Sequence, residues 1–302
     1  MSRLRDLGFL AEYVLVRVAA GLLRLLPLDT AVAVAAAVCE QVAPRTRLHR
    51  RALANIETAL PDMASSERSL ILSRMWQNTG RVIAETLLLD RVVGDPGRIE
   101  IVGAEDLERH LRAPGPNIGL TLHLGNWELV GWACAVCGGK LSGVYRPLGN
   151  PYLDRFLQRK RQLLYPGGLL FKGTMGGKEP VGKTTRAVID HLRKGGHLGL
   201  VCDQVENSCN FTVPFFAVPA KFTPAPALVA RRIGARVWIA RGLRLNNSSR
   251  FRIEVTPFHV QQTDDPEADV KAMTAAMAAQ FEAWIRETPD QWMWWQRRSI
   301  GQ

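Results

Sequence analysis

The sequence predicts an α/β domain with a mixed, mainly parallel sheet flanked by helices, entered through a helical N-terminal lead that associates with a membrane. Three observations predict this. From residue 99 onward, short β-rich runs alternate with helical patterns, the arrangement that sets parallel strands beneath crossover helices. Ahead of residue 60 the chain is apolar and helical but interrupted by charge. A basic cluster then follows the apolar stretch, in a chain whose formal net charge is +11. That charge points to an anionic partner, whether nucleic acid, anionic lipid or a phosphorylated substrate. A hydrophobic fraction of 47% over 302 residues excludes disorder and allows a sizeable core. The lead is assigned to residues 1–60 and the α/β body to residues 61–302. No repeat, low-complexity tract or linker divides the body.

Within the lead, Arg5, Asp6, Glu12, Arg17 and Arg24 share one half of a helical wheel. Leu7, Leu10, Val14, Val18, Leu22 and Leu25 share the other half, and Pro27 closes the helix. Charges at Glu12, Arg17, Arg24 and Asp29 leave no uncharged run of spanning length, and no secretory signal is apparent. A second, alanine-rich helix covers residues 30–39. The pair is either a hairpin packed on the body or an amphipathic element lying in a bilayer interface. Arg45, Arg47, His49, Arg50 and Arg51 follow at once and favour the interface, because such clusters are drawn to anionic headgroups.

Ser65 and Ser66 are positioned to cap a helix running to Leu89. Strands are expected at 99–102, 118–122, 141–145, 198–202, 237–243 and 251–255. Helices are expected at 127–136, 152–164, 185–193, 225–232 and 268–286. The polar turn at 246–249 makes 251–255 an antiparallel hairpin partner of 237–243.

The stretch Asn117-Ile-Gly-Leu-Thr-Leu-His123-Leu-Gly-Asn126-Trp-Glu128 carries the clearest chemistry. A buried strand ends near His123, Gly125 permits a tight turn, and Asn126 is suited to cap the following helix. Glu128 falls in that helix's first turn. An imidazole and a carboxylate are thereby held together at the lip of a sheet, where α/β sites gather. The pair reads as a general base with its orienting acid.

Two other motifs compete. Gly177-Lys-Glu-Pro-Val-Gly182-Lys183-Thr184 matches a phosphate-binding loop, which would make the protein a nucleotide-binding one. However, it does not leave a buried strand directly, and Pro180 removes an N–H that would hold phosphate. Cys134-x-x-Cys137 lies in an apolar helical run, and Cys202 and Cys209 supply no matching second pair, so core packing is the better reading. The five cysteines have no framework spacing. A nucleic-acid-binding role would also use the charge, but no recognition motif accompanies it. No nucleic acid partner is expected.

Several segments together resemble one family. His123-Leu-Gly-Asn-Trp-Glu128 is similar to the signature of the lipid A late acyltransferases, lauroyl and myristoyl type, within the lysophospholipid acyltransferase superfamily. The likeness continues through Arg146-Pro-Leu-Gly-Asn150-Pro151 and the helix carrying Arg159 and Arg161. It extends through Gly196-His-Leu-Gly-Leu-Val-Cys-Asp203-Gln204, Val213-Pro-Phe-Phe216 and Trp294-Trp-Gln-Arg297-Arg298. Gln296 stands where the family usually has histidine. Asn55-Ile-Glu-Thr-Ala-Leu-Pro61, after the apolar helices and basic stretch, fits as well, so the likeness covers nearly the whole chain.

The resemblance implies transfer of a fatty acyl group from acyl carrier protein to a hydroxyl of a lipid A precursor or similar glycolipid. It implies an inner-membrane location on the cytoplasmic face. His123 would take the acceptor's proton and Glu128 would orient the imidazole, with no cofactor and no metal required. Candidate substrate-binding residues are Asn126, Arg146, Arg159, Arg161 and Asp203. Among these, the arginines are suited to phosphate or oxyanion charge, and Asp203 to orienting an arginine. Another acceptor, such as a phosphatidylinositol mannoside, would suit the same pair. Trp292, Trp294 and Trp295 are either an interfacial anchor or core.

Overall fold

The computed structural model describes residues 3–172, 183–204 and 211–296. Most of the phosphate-loop match, Cys209, Arg297 and Arg298 lie outside the described residues. The lead folds as α1 (Arg3–Arg24), α2 (Leu28–Val42) and α3 (Arg47–Ala59), followed by α4 (Ser65–Leu87) and the short α5 (Leu89–Val93). Neither Ser65 nor Ser66 caps α4. Ala64 precedes it, and the Glu67 carboxylate accepts from the Ala64 amide at 3.3 Å. Helices α2 and α4 touch at Gly80, where a Cβ would lie 2.3 Å from the Ala35 carbonyl oxygen.

The body continues through β1 (Ile99–Val102), α6 (Ala104–Arg112), β2 (Asn117–Thr121), α7 (Glu128–Val136), β3 (Leu141–Tyr145), α8 (Pro151–Arg161) and β4 (Gly168–Phe171). It then passes through α9 (Lys183–Arg193), β5 (His197–Val201), β6 (Thr212–Phe215), β7 (Val218–Lys221) and α10 (Ala225–Ile233). It ends with β8 (Arg236–Leu245), β9 (Arg250–Phe258) and α11 (Pro266–Glu287). Among the described residues, seven strands form one sheet in the order β1-β9-β8-β2-β5-β3-β4. Every pairing in it is parallel except the β8–β9 hairpin, as the polar turn led us to expect. Strands β6 and β7 form a separate hairpin.

Strand alternation divides the core between the two sheet faces. Val237 and Ile239 join Ile118, Leu120 and the inner sides of α9, α10 and α11. Trp238 and Ala240 point the other way, toward α2, α6 and α7. Strand β2 is buried along its length, and Gly119 is required there because a Cβ would lie 2.3 Å from the Trp238 ring.

Helix α1 lies on the protein along Phe9, Tyr13, Val16, Ala20 and Leu23, which are half-buried, and its charged residues flank that line and reach across to the body. Glu12 accepts from the Asn150 amide at 2.9 Å, Arg17 lies over the Phe156 ring at 5.3 Å, and Arg24 pairs with Asp90. Lys160 joins Asp90 at 2.8 Å, and these partners hold its carboxyl far below the ordinary carboxylate range. A second apolar side faces outward: Leu4 is 82% exposed, Leu15 69% and Leu22 61%. A helix resting on a soluble domain ordinarily turns charged and polar residues, not a second apolar face, to solvent. Among the described residues, no helix is long and apolar enough to cross a membrane.

Candidate active site

The site forms where the two central parallel strands end. In the β2–β5 register, Thr121 lies beside Val201, and the Cys202 amide donates to the Thr121 carbonyl at 2.9 Å. Two residues further along each chain, the same offset brings His123 beside Asp203. The Asp203 carboxylate is buried, and its Oδ1 lies 2.6 Å from the His123 ring Nδ1. Its Oδ2 accepts from the His123 backbone N–H at 2.9 Å and from the Trp292 indole N–H at 2.9 Å. With Oδ2 held by two donors, Oδ1 is fixed on the imidazole. This favours the tautomer with a proton on Nδ1 and a lone pair on Nε2. The Gln204 side-chain nitrogen lies 3.4 Å from Nε2, on the side of the ring that would take a proton.

Here the structure differs from the sequence expectation: the carboxylate on the imidazole is that of Asp203, not Glu128. Glu128 opens α7 and is buried, and its oxygens accept from the Arg161 Nε at 3.1 and 3.0 Å. A second guanidinium nitrogen closes on Oε1, making a fork. Burial works against the Arg161 charge, but the Glu128 carboxylate outweighs it and raises the guanidinium above its ordinary value. The Arg161 guanidinium also lies 5.1 Å from the Tyr145 ring centre. Thus the last turn of α8 is clamped to the first turn of α7, because a buried carboxylate is stable only with its charge and lone pairs matched.

Asn126 does not cap α7. Its side chain is buried and donates to Glu85 at 2.8 Å, while Trp127 occupies the cap position without a side-chain bond. Arg146 and Arg159 are exposed, near opposite ends of α8. Among the described residues, the imidazole that Asp203 contacts is that of His123, where the sequence expectation had an arginine. Among the aromatic residues, Trp292 and Trp294 are fully buried in the core, and half-buried Trp295 packs at its edge, stacked on Trp76 at 6.3 Å. The tail also clips the site loop. Met293 N donates to the His123 carbonyl at 3.2 Å and Gly125 N to the Gln291 carbonyl at 2.9 Å.

Burial pushes the Cys134 thiol up to about 12, and raises the Cys137 thiol as well. Thiols protonated at neutral pH suit packing, not nucleophilic attack. What the assembled groups can do is take a proton at Nε2, with Asp203 balancing the charge that develops.

A search of curated proteins finds no match. The sequence model of the bacterial lipid A biosynthesis acyltransferases matches residues 4–299. That span includes both strand ends that carry the histidine and the aspartate, as well as the tail that fastens them. The chain therefore belongs to the bacterial lipid A biosynthesis acyltransferase family, and is an acyltransferase.

Proposed function

We propose that the protein transfers a fatty acyl group from the thioester of acyl carrier protein to a hydroxyl of a lipid A precursor or similar glycolipid, with His123 as general base. The observation that carries this reading is the 2.6 Å contact between Asp203 and the His123 Nδ1. A sugar hydroxyl is a poor nucleophile at neutral pH. His123 Nε2 takes its proton as the oxygen attacks the thioester carbonyl carbon. A C–O bond forms, the C–S bond breaks, and the imidazolium returns the proton to the departing thiolate. Asp203 takes the orienting role, while Glu128 acts through Arg161 by holding α8 against the site loop. Arg146 and Arg159, exposed and without an ion-pair partner among the described residues, present charge for an acceptor's phosphate or for the acidic carrier protein. Mass spectrometry of glycolipids from a strain lacking the protein tests the reading. The expected result is one species short of a single acyl chain, restored by the intact gene. An unchanged glycolipid profile would refute the choice of acceptor.

The same reading places the protein on the cytoplasmic face of an inner membrane. Its support is the outward apolar side of α1, joined by exposed Val34, Val38 and Val42 of α2. Exposed Arg45, Arg47 and Arg50 follow and suit anionic headgroups. Because apolar insertion and charge act together, high salt should release only part of the protein from membranes. Quantitative recovery in the soluble fraction of a low-salt lysate would contradict this placement.

A further inference from the structure

The loop joining His123 to Glu128 rests on a buried ion pair that the proton-transfer step does not use. Glu85 of α4 and Arg244 of β8 have side chains 0% and 2% exposed. Both arms of the guanidinium bond the carboxylate, one of them at 2.7 Å. Glu85 also accepts from Ser249 Oγ at 2.7 Å and from Asn126 Nδ2 at 2.8 Å. The remaining Arg244 Nε donates to Asn78 Oδ1 at 2.7 Å, and the Asn78 amide donates to the Gly125 carbonyl at 3.1 Å.

The backbone beneath is equally fixed. Strand β8 runs past the end of β2, so that Gly242 lies under the loop and accepts from Asn126 N at 3.0 Å. Gly125 has φ +56°, and a Cβ there would lie 1.9 Å from the Gly242 carbonyl oxygen. The loop is thus laid directly on the strand, and its one buried amide side chain is held by Glu85. Burying two opposite charges is an expensive way to join a helix to a strand when apolar residues would pack as well. Here the hydrogen bonds of the pair lead to both Gly125 and Asn126, between the proposed base and Glu128.

We infer that Glu85 and Arg244 are positioning residues for acyl transfer, fixing through Asn126 and Gly125 where His123 and Glu128 stand relative to one another. The inference rests on the reading of His123 as the base. Displacement of a catalytic group by about 1 Å costs on the order of 10²-fold in rate, so the pair acts on turnover more than on substrate binding.

The test is the full-length protein assayed for thioester-to-lipid acyl transfer as Glu85→Gln/Arg244→Met, which removes both charges together and keeps an acceptor at position 85. The expected result is cooperative melting, native near-ultraviolet circular dichroism, turnover lower by about 10²-fold and KM values little changed. A folded double variant with wild-type turnover would overturn the inference. Should that protein fail to fold, Glu85→Asp decides. It keeps the charge but withdraws the carboxylate from Asn126, so turnover should fall by about tenfold with KM unchanged. Wild-type turnover there would overturn the inference equally. His123→Ala assayed alongside separates the two readings. If it is inactive while the Glu85 variants are normal, only the positioning role fails; if it is active, the base assignment itself fails.

Discussion

Asp203→Asn should leave a folded protein that binds its substrates and turns over roughly 10²–10⁴-fold more slowly, the range that general-base catalysis supplies. The reason is the hydrogen-bond pattern around the carboxylate. Oδ2 accepts from two donors, the His123 amide and the Trp292 indole, so an oxygen must remain in that place. The NH₂ of asparagine is then forced into the position of Oδ1, facing Nδ1. A donor there requires Nδ1 to accept, and the imidazole proton moves to Nε2. The nitrogen that should take the acceptor's proton becomes blocked. The charge that stabilised the imidazolium is lost at the same time. Packing changes little, since the amide has the size of the acid, so circular dichroism should match wild type. Single-turnover transfer measures the effect. Turnover within a few fold of wild type would show that Asp203 is a structural partner only.

Much of the fold was legible because the body's strands and helices follow simple periodicities. The strands at 99–102 and 141–145, the antiparallel β8–β9 hairpin and the helices α7, α8, α10 and α11 were expected, whereas the short, mostly charged α6 was not. The hairpin β6–β7 was not expected either, because its strands are four residues long and each carries a proline, at 214 and 219. Helix α3 was hidden among basic residues that read as a membrane-facing charge cluster. At the site, the local motif pointed to His123 and Glu128, but the partner of the imidazole lies 80 residues away. That pairing follows from strand order: β2 and β5 are neighbours, and both residues stand two positions past their strand ends. Spacing within one motif cannot reveal adjacency between strands. The lead shows the same limit. Its two wheel faces were readable, but how the helix lies on the body depends on Asn150, Phe156 and Asp90, distant residues that receive its charges.

The central claim is that His123, held by Asp203, is the base. Truncation to alanine removes the imidazole while leaving the backbone N–H that donates to Asp203 Oδ2 and the carbonyl that receives Met293 N. The loop should therefore keep its place, and the fold should survive. Acceptor affinity should change little, because the imidazole contributes mainly in the transition state. Combining His123→Ala with Asp203→Asn should be no worse than about the poorer single variant, since an orienting acid has nothing left to orient. The decisive measurement is the single-turnover rate of acyl transfer from thioester to lipid by folded His123→Ala. A loss of roughly 10²–10⁴-fold is the predicted result, and near-normal transfer by that folded protein would contradict the mechanism.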